Sequence, residues 1–479
     1  MSLGAGYMPH KLKIALLTPL IKNITDDQEV LANFRPISNL PFLSKLIEKV
    51  VADQIISHME KNNLCEVMQS SYKKFHSTET ALNCVIDDIL CGIDNRRCAL
   101  LLVLDMSAGF DTVDHDILLK RLELAIGLRG SVLNWFRSYL SDRSQSVTVN
   151  GTFSNSVPLV YGVPQGSVLG PILFNIYITP LANLIRSHQI PFHIYADDSQ
   201  KYAIFDLKDY FQTVSKMESL ASDIRVWFRV NKLKGNDSKT EVLIMSSKFS
   251  PLPTEFNVPL TVGNCSIKPV ESVRNLGVTL DKHASFELHV KNIATSAFLK
   301  IREIAYYRKF LTFESAKTLI HAYVTGIIDY CNSLLYGLPN TQIKRLQSVL
   351  NTAARVVTMT RKFDHISPVL YELHWLPVKF RIQFKLILLV FKSLNGLAPQ
   401  YLSDKLVLKS NKKLRSGNQM LLVVPLSRTK FYGDRSFSVA GPRLWNNLPK
   451  SLRLIKSISI FKTSLKTHLF RNAFPQFVS

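Results

Sequence analysis

Short apolar runs and alternating stretches, separated by helical patterns, fill the first 281 residues, and helical patterns dominate afterwards. Residues 11–22 alternate well enough to predict a strand. Over residues 40–61, Leu43, Leu46, Ile47, Val50, Val51 and Ile55 recur at helical spacing, which predicts a helix whose apolar stripe enters a core. Residues 99–104 are wholly apolar, as expected of a strand buried on both faces. Asn150-Gly151 predicts a tight hairpin turn between residues 145–150 and 151–160. A helix follows at 172–184. The apolar run 190–196 and the β-prone run 201–205 predict a second hairpin, with Asp197 and Asp198 at its turn. Next come a helix over 207–231, a strand over 242–245 and a strand pair within 273–281. Further on, Leu346, Val349, Leu350, Ala353, Ala354 and Val357 fall on one helical face.

The connecting stretches carry the chemistry. In Asn33-Phe34-Arg35-Pro36-Ile37-Ser38, Pro36 holds Arg35 extended and so fixes where a permanently charged fork suited to phosphate points. Lys45 and Lys49 lie near the apolar face of the next helix. From Gln69 to Thr78, Lys73 and Lys74 interleave with Tyr72 and Phe75, a composition that holds a nucleic-acid strand by charge and stacking. Ser77 caps the helix after this loop, with Thr80 where a full capping box wants Glu or Gln. Cys84, Cys91 and Cys98, spaced by seven, read as buried small side chains of that helix.

The apolar run 99–104 ends at Asp105, and carboxylates at the tips of core strands are where active sites on open sheets tend to sit. Asp111, Asp114 and Asp116 read as helix-start acids. Three glycines and two prolines between Gly162 and Pro171 make a rigid loop whose backbone can approach a ligand, with Gln165 offering both donor and acceptor. Lys239 stands between a loop and a strand.

At 479 residues with 46% apolar content, the chain is long enough for two to four folded domains. Its six cysteines show no zinc spacing, and free thiols in a reducing compartment account for them. Residues 14–21 are interrupted by Pro19 and followed by Lys22, which makes a poor signal peptide and cannot span a bilayer. A soluble intracellular protein, cytoplasmic or nuclear, is expected. Lys and Arg balance Asp and Glu at 28 each over residues 1–281, but outnumber them 31 to 8 over 282–479. That basic half calls for a polyanionic partner, nucleic acid ahead of an anionic membrane.

If their strands pair, Asp105, Asp197 and Asp198 converge, and converging carboxylates repel unless cations neutralise them. Hard oxygen ligands point to Mg²⁺ held by a few carboxylates and substrate phosphates. Two such ions serve an in-line phosphoryl transfer. Taken in order, the stretches 33–38, 69–78, 105–111, 162–171, 195–198, 233–241 and 275–281 resemble the motif series of reverse transcriptases from non-LTR (LINE-type, jockey-like) retrotransposons.

The resemblance implies an α+β right-hand polymerase: fingers and palm over 1–281, a helical thumb over 282–360, and a basic, aromatic-containing C-terminal region over 361–479. It implies RNA-templated DNA synthesis from a 3′-hydroxyl primer, with an RNA template, a DNA primer, dNTPs and two Mg²⁺ ions, Mn²⁺ being a substitute. By it, Asp105, Asp197 and Asp198 hold the metal ions, and Phe110 lies against the sugar. Gln165 and Gly166 meet the incoming nucleotide and template, Arg35 and Lys45 the triphosphate, and Lys239 protonates the departing pyrophosphate. Two glycines depart from the pattern, Gly109 where alanine is commoner and Gly235 where a larger residue is. The chain begins almost at the first motif, so a truncation lacking an upstream endonuclease domain is expected. Two rivals stand beside this reading: an RNA-dependent RNA polymerase, which Phe110 argues against, and a catalytically silent nucleic-acid-binding remnant.

Overall fold

The computed structural model describes residues 2–22, 26–107, 109–256, 258–263, 265–409 and 419–477. Near the start, β1 (Ile14–Ile21) pairs antiparallel with β2 (Phe34–Asn39), and the helices α1 (Phe42–Lys61) and α2 (Thr78–Asp94) follow. The apolar run is β3 (Cys98–Ser107), after which come α3 (His115–Leu124), α4 (Gly130–Leu140) and β4 (Ser144–Val149), the last parallel to β1. Then α5 (Gly170–Ser187) leads to a hairpin of β5 (Phe192–Tyr195) and β6 (Asp198–Phe205), and α6 (Tyr210–Val230) leads to β7 (Lys234–Met245). The order β5-β6-β3-β7 makes a four-stranded antiparallel sheet with β3 inside it. With helices packed on both of its faces, this sheet makes the fold α+β.

Both faces of β3 are buried, as its unbroken apolar run requires. Leu100, Leu102, Leu104 and Met106 enter a core shared with α3 to α6. Ala99, Leu101 and Val103 point the other way, into a core shared with α2 and the C-terminal helices. In that second core the helix Asn340–Thr358 buries all six residues of its predicted face. It packs on Glu287–Tyr307, and the Arg308 guanidinium donates to the Val356 and Val357 carbonyls at 2.8 Å each.

Three local expectations are corrected. The inward face of α1 is Ser44, Glu48, Val51, Ala52, Ile55 and Met59, while Leu43, Leu46 and Val50 are exposed. The cause is Glu48, a fully buried carboxylate that accepts from the backbone N–H groups of Val168 and Leu169 at 2.8 and 3.1 Å and from Ser44 Oγ at 3.0 Å. Satisfying that buried acceptor sets the rotation of the helix. The capping box of α2 is complete: Ser77 Oγ accepts from the Thr80 N–H and Thr80 Oγ1 accepts from the Ser77 N–H, so threonine does the work of glutamate. Cys98 opens β3 instead of continuing the helix, and it and Cys91 are only half-buried.

The C-terminal region is built onto α2. Lys385 Nζ lies 3.0 Å from Glu79, and Asp87 takes Lys405 Nζ at 2.8 Å together with the Ser438 N–H and hydroxyl. Asp94 accepts from the Arg428 and Thr429 N–H groups at 2.8 Å each. The Tyr401 hydroxyl lies 2.8 Å from Ser70 Oγ and donates to Thr80 Oγ1 at 3.0 Å. The tail aromatics Trp375, Tyr432, Phe437 and Trp445 are core residues. Among the described residues no helix is long and apolar enough to cross a membrane.

Burial by itself would depress the Lys405 ammonium, but Asp87 and Asp88 on α2 hold it above its ordinary value. Replacing Lys405 with Ala leaves the buried Asp87 carboxylate without its counter-ion, and a loss of about 3 kcal/mol in urea-denaturation stability is expected. A loss below about 0.5 kcal/mol would mean that the tail merely rests on α2.

Candidate active site

The sheet register assembles the acids. Leu104 of β3 faces Ser199 of β6, so the next residue outward on each strand brings Asp105 beside Asp198. Tyr195 pairs with Asp198, leaving Ala196 and Asp197 as a two-residue turn. Ala196 is buried at φ +56°, a conformation costly for alanine. Its N–H donates to Gln69 Oε1 at 3.1 Å, and the same oxygen accepts from the Ser71 N–H and hydroxyl at 3.0 and 2.9 Å. Gln69 therefore pins the strained turn from the loop before α2.

On the other flank, the β3–β7 register jumps from Val103 opposite Glu241 to Asp105 opposite Asn236, so residues 237–240 bulge out against Leu104 alone. That bulge, and not a loop before the strand, carries Lys239. Its ammonium reaches Asp105 Oδ2 at 3.6 Å, and Asn236 Nδ2 donates to the same oxygen at 3.2 Å.

Crowding shows in the protonation equilibria. Burial, and then the nearby Asp105, raise Asp197 above the usual carboxylate range against the pull of Arg35 and Lys239. Burial, then Asp197 and Asp105, push Asp198 up to about 6. Arg35 is exposed on β2, near enough to act on Asp197 and on Tyr72. Lys45 is half-buried in the first turn of α1, and no described contact joins it to the carboxylates.

The Gly162–Pro171 stretch closes over this end of the sheet. Its N–H groups at Gly162 and Val163 donate to the Val113 and Phe110 carbonyls at 2.7 and 2.9 Å. The Gln165 carbonyl accepts from the Ser38 N–H of β2 at 2.7 Å, while Gln165 Nε2 donates to both Asp111 oxygens at 3.0 and 2.9 Å. Gly166 sits at φ +117°, where a Cβ would lie 2.6 Å from the Ser38 carbonyl, so only glycine fits. Phe110 stacks on Phe174 of α5, with centroids 4.5 Å apart. Of the supposed helix-start acids, Asp114 does cap α3, accepting from the Ile117 N–H at 3.0 Å, but Asp111 holds Gln165. Of the two lysines in the 69–78 loop, Lys73 spends its ammonium on the Glu66 carbonyl at 2.7 Å. Tyr72 and Phe75 stay exposed at positive φ.

The structure thus brings Asp105, Asp197, Asp198, Lys239 and Arg35 to one place, with Phe110, Gln165 and Gly166 in the connected loop layer beside it. Among the described residues, no group of three His, Cys, Asp or Glu side chains forms a ready metal cage. Gln69 and Asn236 lie within the motif stretches, but nothing in the local sequence marks them as the ties to the turn and to Asp105. Phe174 sat unremarked in the predicted helix, and its apolar pattern gave no signal beyond core packing.

Residues 22–280 match the family model described as "Reverse transcriptase (RNA-dependent DNA polymerase)". Among curated proteins, the "Probable RNA-directed DNA polymerase from transposon X-element" of Drosophila melanogaster is 26% identical over 358 residues, 74% of this chain and 38% of that protein. The corresponding protein "from transposon BS" of the same organism is 24% identical over 365 residues, 74% of this chain and 39% of that protein. The "RNA-directed DNA polymerase from mobile element jockey" of Drosophila melanogaster is 24% identical over 310 residues, 64% of this chain and 33% of that protein. The chain therefore spans between a third and two fifths of the length of these relatives.

Since the Asp198 carboxyl is raised from 3.8 to about 6, the folded chain binds its proton more tightly than the unfolded one, and ionising it destabilises the fold. The penalty is absent below pH 3.8, grows up to about 6, and is full above that. Asp198→Asn removes it, so the variant is expected to gain about 1–2 kcal/mol over wild type at pH 7.5, after allowance for solvent screening, and nothing near pH 4. Denaturation curves across that range, taken without divalent ions, measure the difference.

Proposed function

The chain belongs to the reverse transcriptase (RNA-dependent DNA polymerase) family, and we propose that it extends the 3′-hydroxyl of a DNA primer along an RNA template, using dNTPs. The observation that carries this reading is the convergence of three carboxylates, two on paired strands and one on the adjoining turn, beside a cation on each flank and under a rigid glycine loop.

The donor set fits a divalent ion: hard oxygens only, half-buried or more, and mutually repelling until a cation joins them. Polymerases of this family generally use divalent metals, and Mg²⁺, with Mn²⁺ as a substitute, is our assignment. Asp105 and Asp197 would hold the ions, with Asp198 completing the acidic group and substrate phosphates adding further oxygens. Bound there, the ions would favour the ionised 3′-hydroxyl and offset charge on the transferring phosphate.

The protein's own groups do the positioning. As the 3′-hydroxyl loses its proton to solvent, a new bond forms from the 3′-oxygen to the α-phosphorus, the bond to pyrophosphate breaks, and Lys239 gives a proton to that leaving group. Arg35 and Lys45 hold the triphosphate, Gln165 and Gly166 line the nucleotide and template, and Phe110 abuts the sugar where a 2′-hydroxyl would project. Residues 1–281 act as fingers and palm, 282–360 as thumb, and 361–479 as a basic region that braces α2 and offers its remaining cations to RNA.

Primer extension on an RNA template with Mg²⁺ tests the reading. Wild type is expected to incorporate dNTPs in preference to rNTPs. Asp197→Asn and Asp105→Asn should each lower incorporation by about a thousandfold or more while RNA binding persists and weakens with salt. Equal, negligible extension by wild type and variants, with RNA binding intact, would leave a silent nucleic-acid-binding chain. Preference for rNTPs would instead mark an RNA polymerase.

A further inference from the structure

Gly109 and Phe174 occupy one space between them. A Cβ built on Gly109 would meet the Phe174 ring at 3.0 Å, a tight contact from which the ring must give way, and would face Asp197 Cβ at 4.0 Å. Gly109 has no positive φ, so its backbone does not demand glycine; a side chain there would instead require the Phe174 ring to give way. Into that space α5 projects Phe174, fully buried, whose ring lies nearly parallel to that of Phe110, at 18° and 4.5 Å between centroids. The Phe110 carbonyl is fixed as well, accepting the Val163 N–H at 2.9 Å. Phe110 is thus held at its backbone by the glycine loop and at its ring by Phe174.

Resting on the assignment of Phe110 to the sugar, we infer that Phe174 is a specificity-determining positioning residue: its ring, admitted by the missing side chain of Gly109, holds Phe110 in the attitude that excludes ribonucleotides. The physical warrant is that a half-buried ring with one packed face keeps its place only while that face is filled. An offset stack supplies directional contact that an aliphatic side chain does not. The departure at Gly109 is then paired with Phe174. An alanine at 109 and a phenylalanine at 174 cannot both keep these positions.

The test compares incorporation of one dNTP with that of its rNTP, as the ratio of kcat/KM values, in the full chain on an RNA template. Phe174→Leu removes the stacking ring. Gly109→Ala displaces the same ring without opening a cavity, so the inference stays testable even where the leucine unsettles the fold. Each variant that melts cooperatively is expected to lose discrimination against rNTPs by about fivefold or more, with the dNTP kcat changed by less than about threefold. A purely structural role would lower both nucleotides together and leave the ratio in place. Ratios within about twofold of wild type in both variants overturn the inference. Phe110→Val separates the two levels. If it collapses discrimination and the others do not, Phe174 alone is misassigned. If it has no effect, the role of Phe110 falls and this inference with it. Absence of dNTP incorporation by wild type falls on the polymerase reading itself.

Discussion

The pairing of β3 with β6 is the constraint on which the site depends, because it sets Asp105 beside Asp198 and so beside the adjoining turn residue Asp197. No fold gains stability from packing like charges at the end of a sheet; repulsion and burial raise the pKa values of Asp197 and Asp198. What holds them lies outside the pair. Gln69, from a loop 127 residues earlier, ties the turn through the Ala196 N–H, and Asn236 and Lys239 reach Asp105 from the β7 bulge. Strain and repulsion are concentrated at this end of the sheet, and stability is supplied elsewhere.

One such source is α2. Its carboxylates at Glu79, Asp87 and Asp94 are buried, and each is met by the C-terminal region through ammonium groups, N–H groups or hydroxyls. Because α2 lies directly on one face of β3, that region fixes the second core of the central sheet. The charge excess of residues 282–479 is therefore not all available to the proposed nucleic-acid partner. Lys385 and Lys405 neutralise the interior of the molecule, and only the cations that stay on the surface are free to meet a polyanion.

Much of this was legible in the residues. β3 announced itself through an apolar run with no polar break, the hairpin through two runs around Asp197 and Asp198, and the helix Asn340–Thr358 through a face that is buried in full. Failures came where one polar group overrode a pattern. The apolar stripe of α1 was misread because Glu48 accepts bonds from Val168 and Leu169, about 120 residues away, and its burial turns Leu43, Leu46 and Val50 outward. The bulge that presents Lys239 is a mismatch in register between two strands, and register belongs to the pair and not to either sequence. Phe174 read as ordinary core because its significance lies in what Gly109 lacks.

The glycine loop shows how such local constraints become one mechanical unit. Gly166 lets the loop backbone come against the Ser38 carbonyl of β2, the Ser38 N–H is bonded to the Gln165 carbonyl, and Gln165 reaches Asp111. Arg35 stands three residues before Ser38 on the same strand, so the arginine assigned to the triphosphate and the loop assigned to the nucleotide cannot move independently. The far end of the loop is anchored by Glu48 of α1, and its near end by the Val113 and Phe110 carbonyls. A shift of β2 and α1 against the sheet would therefore carry Arg35, Gln165 and Gly166 together toward or away from the carboxylates.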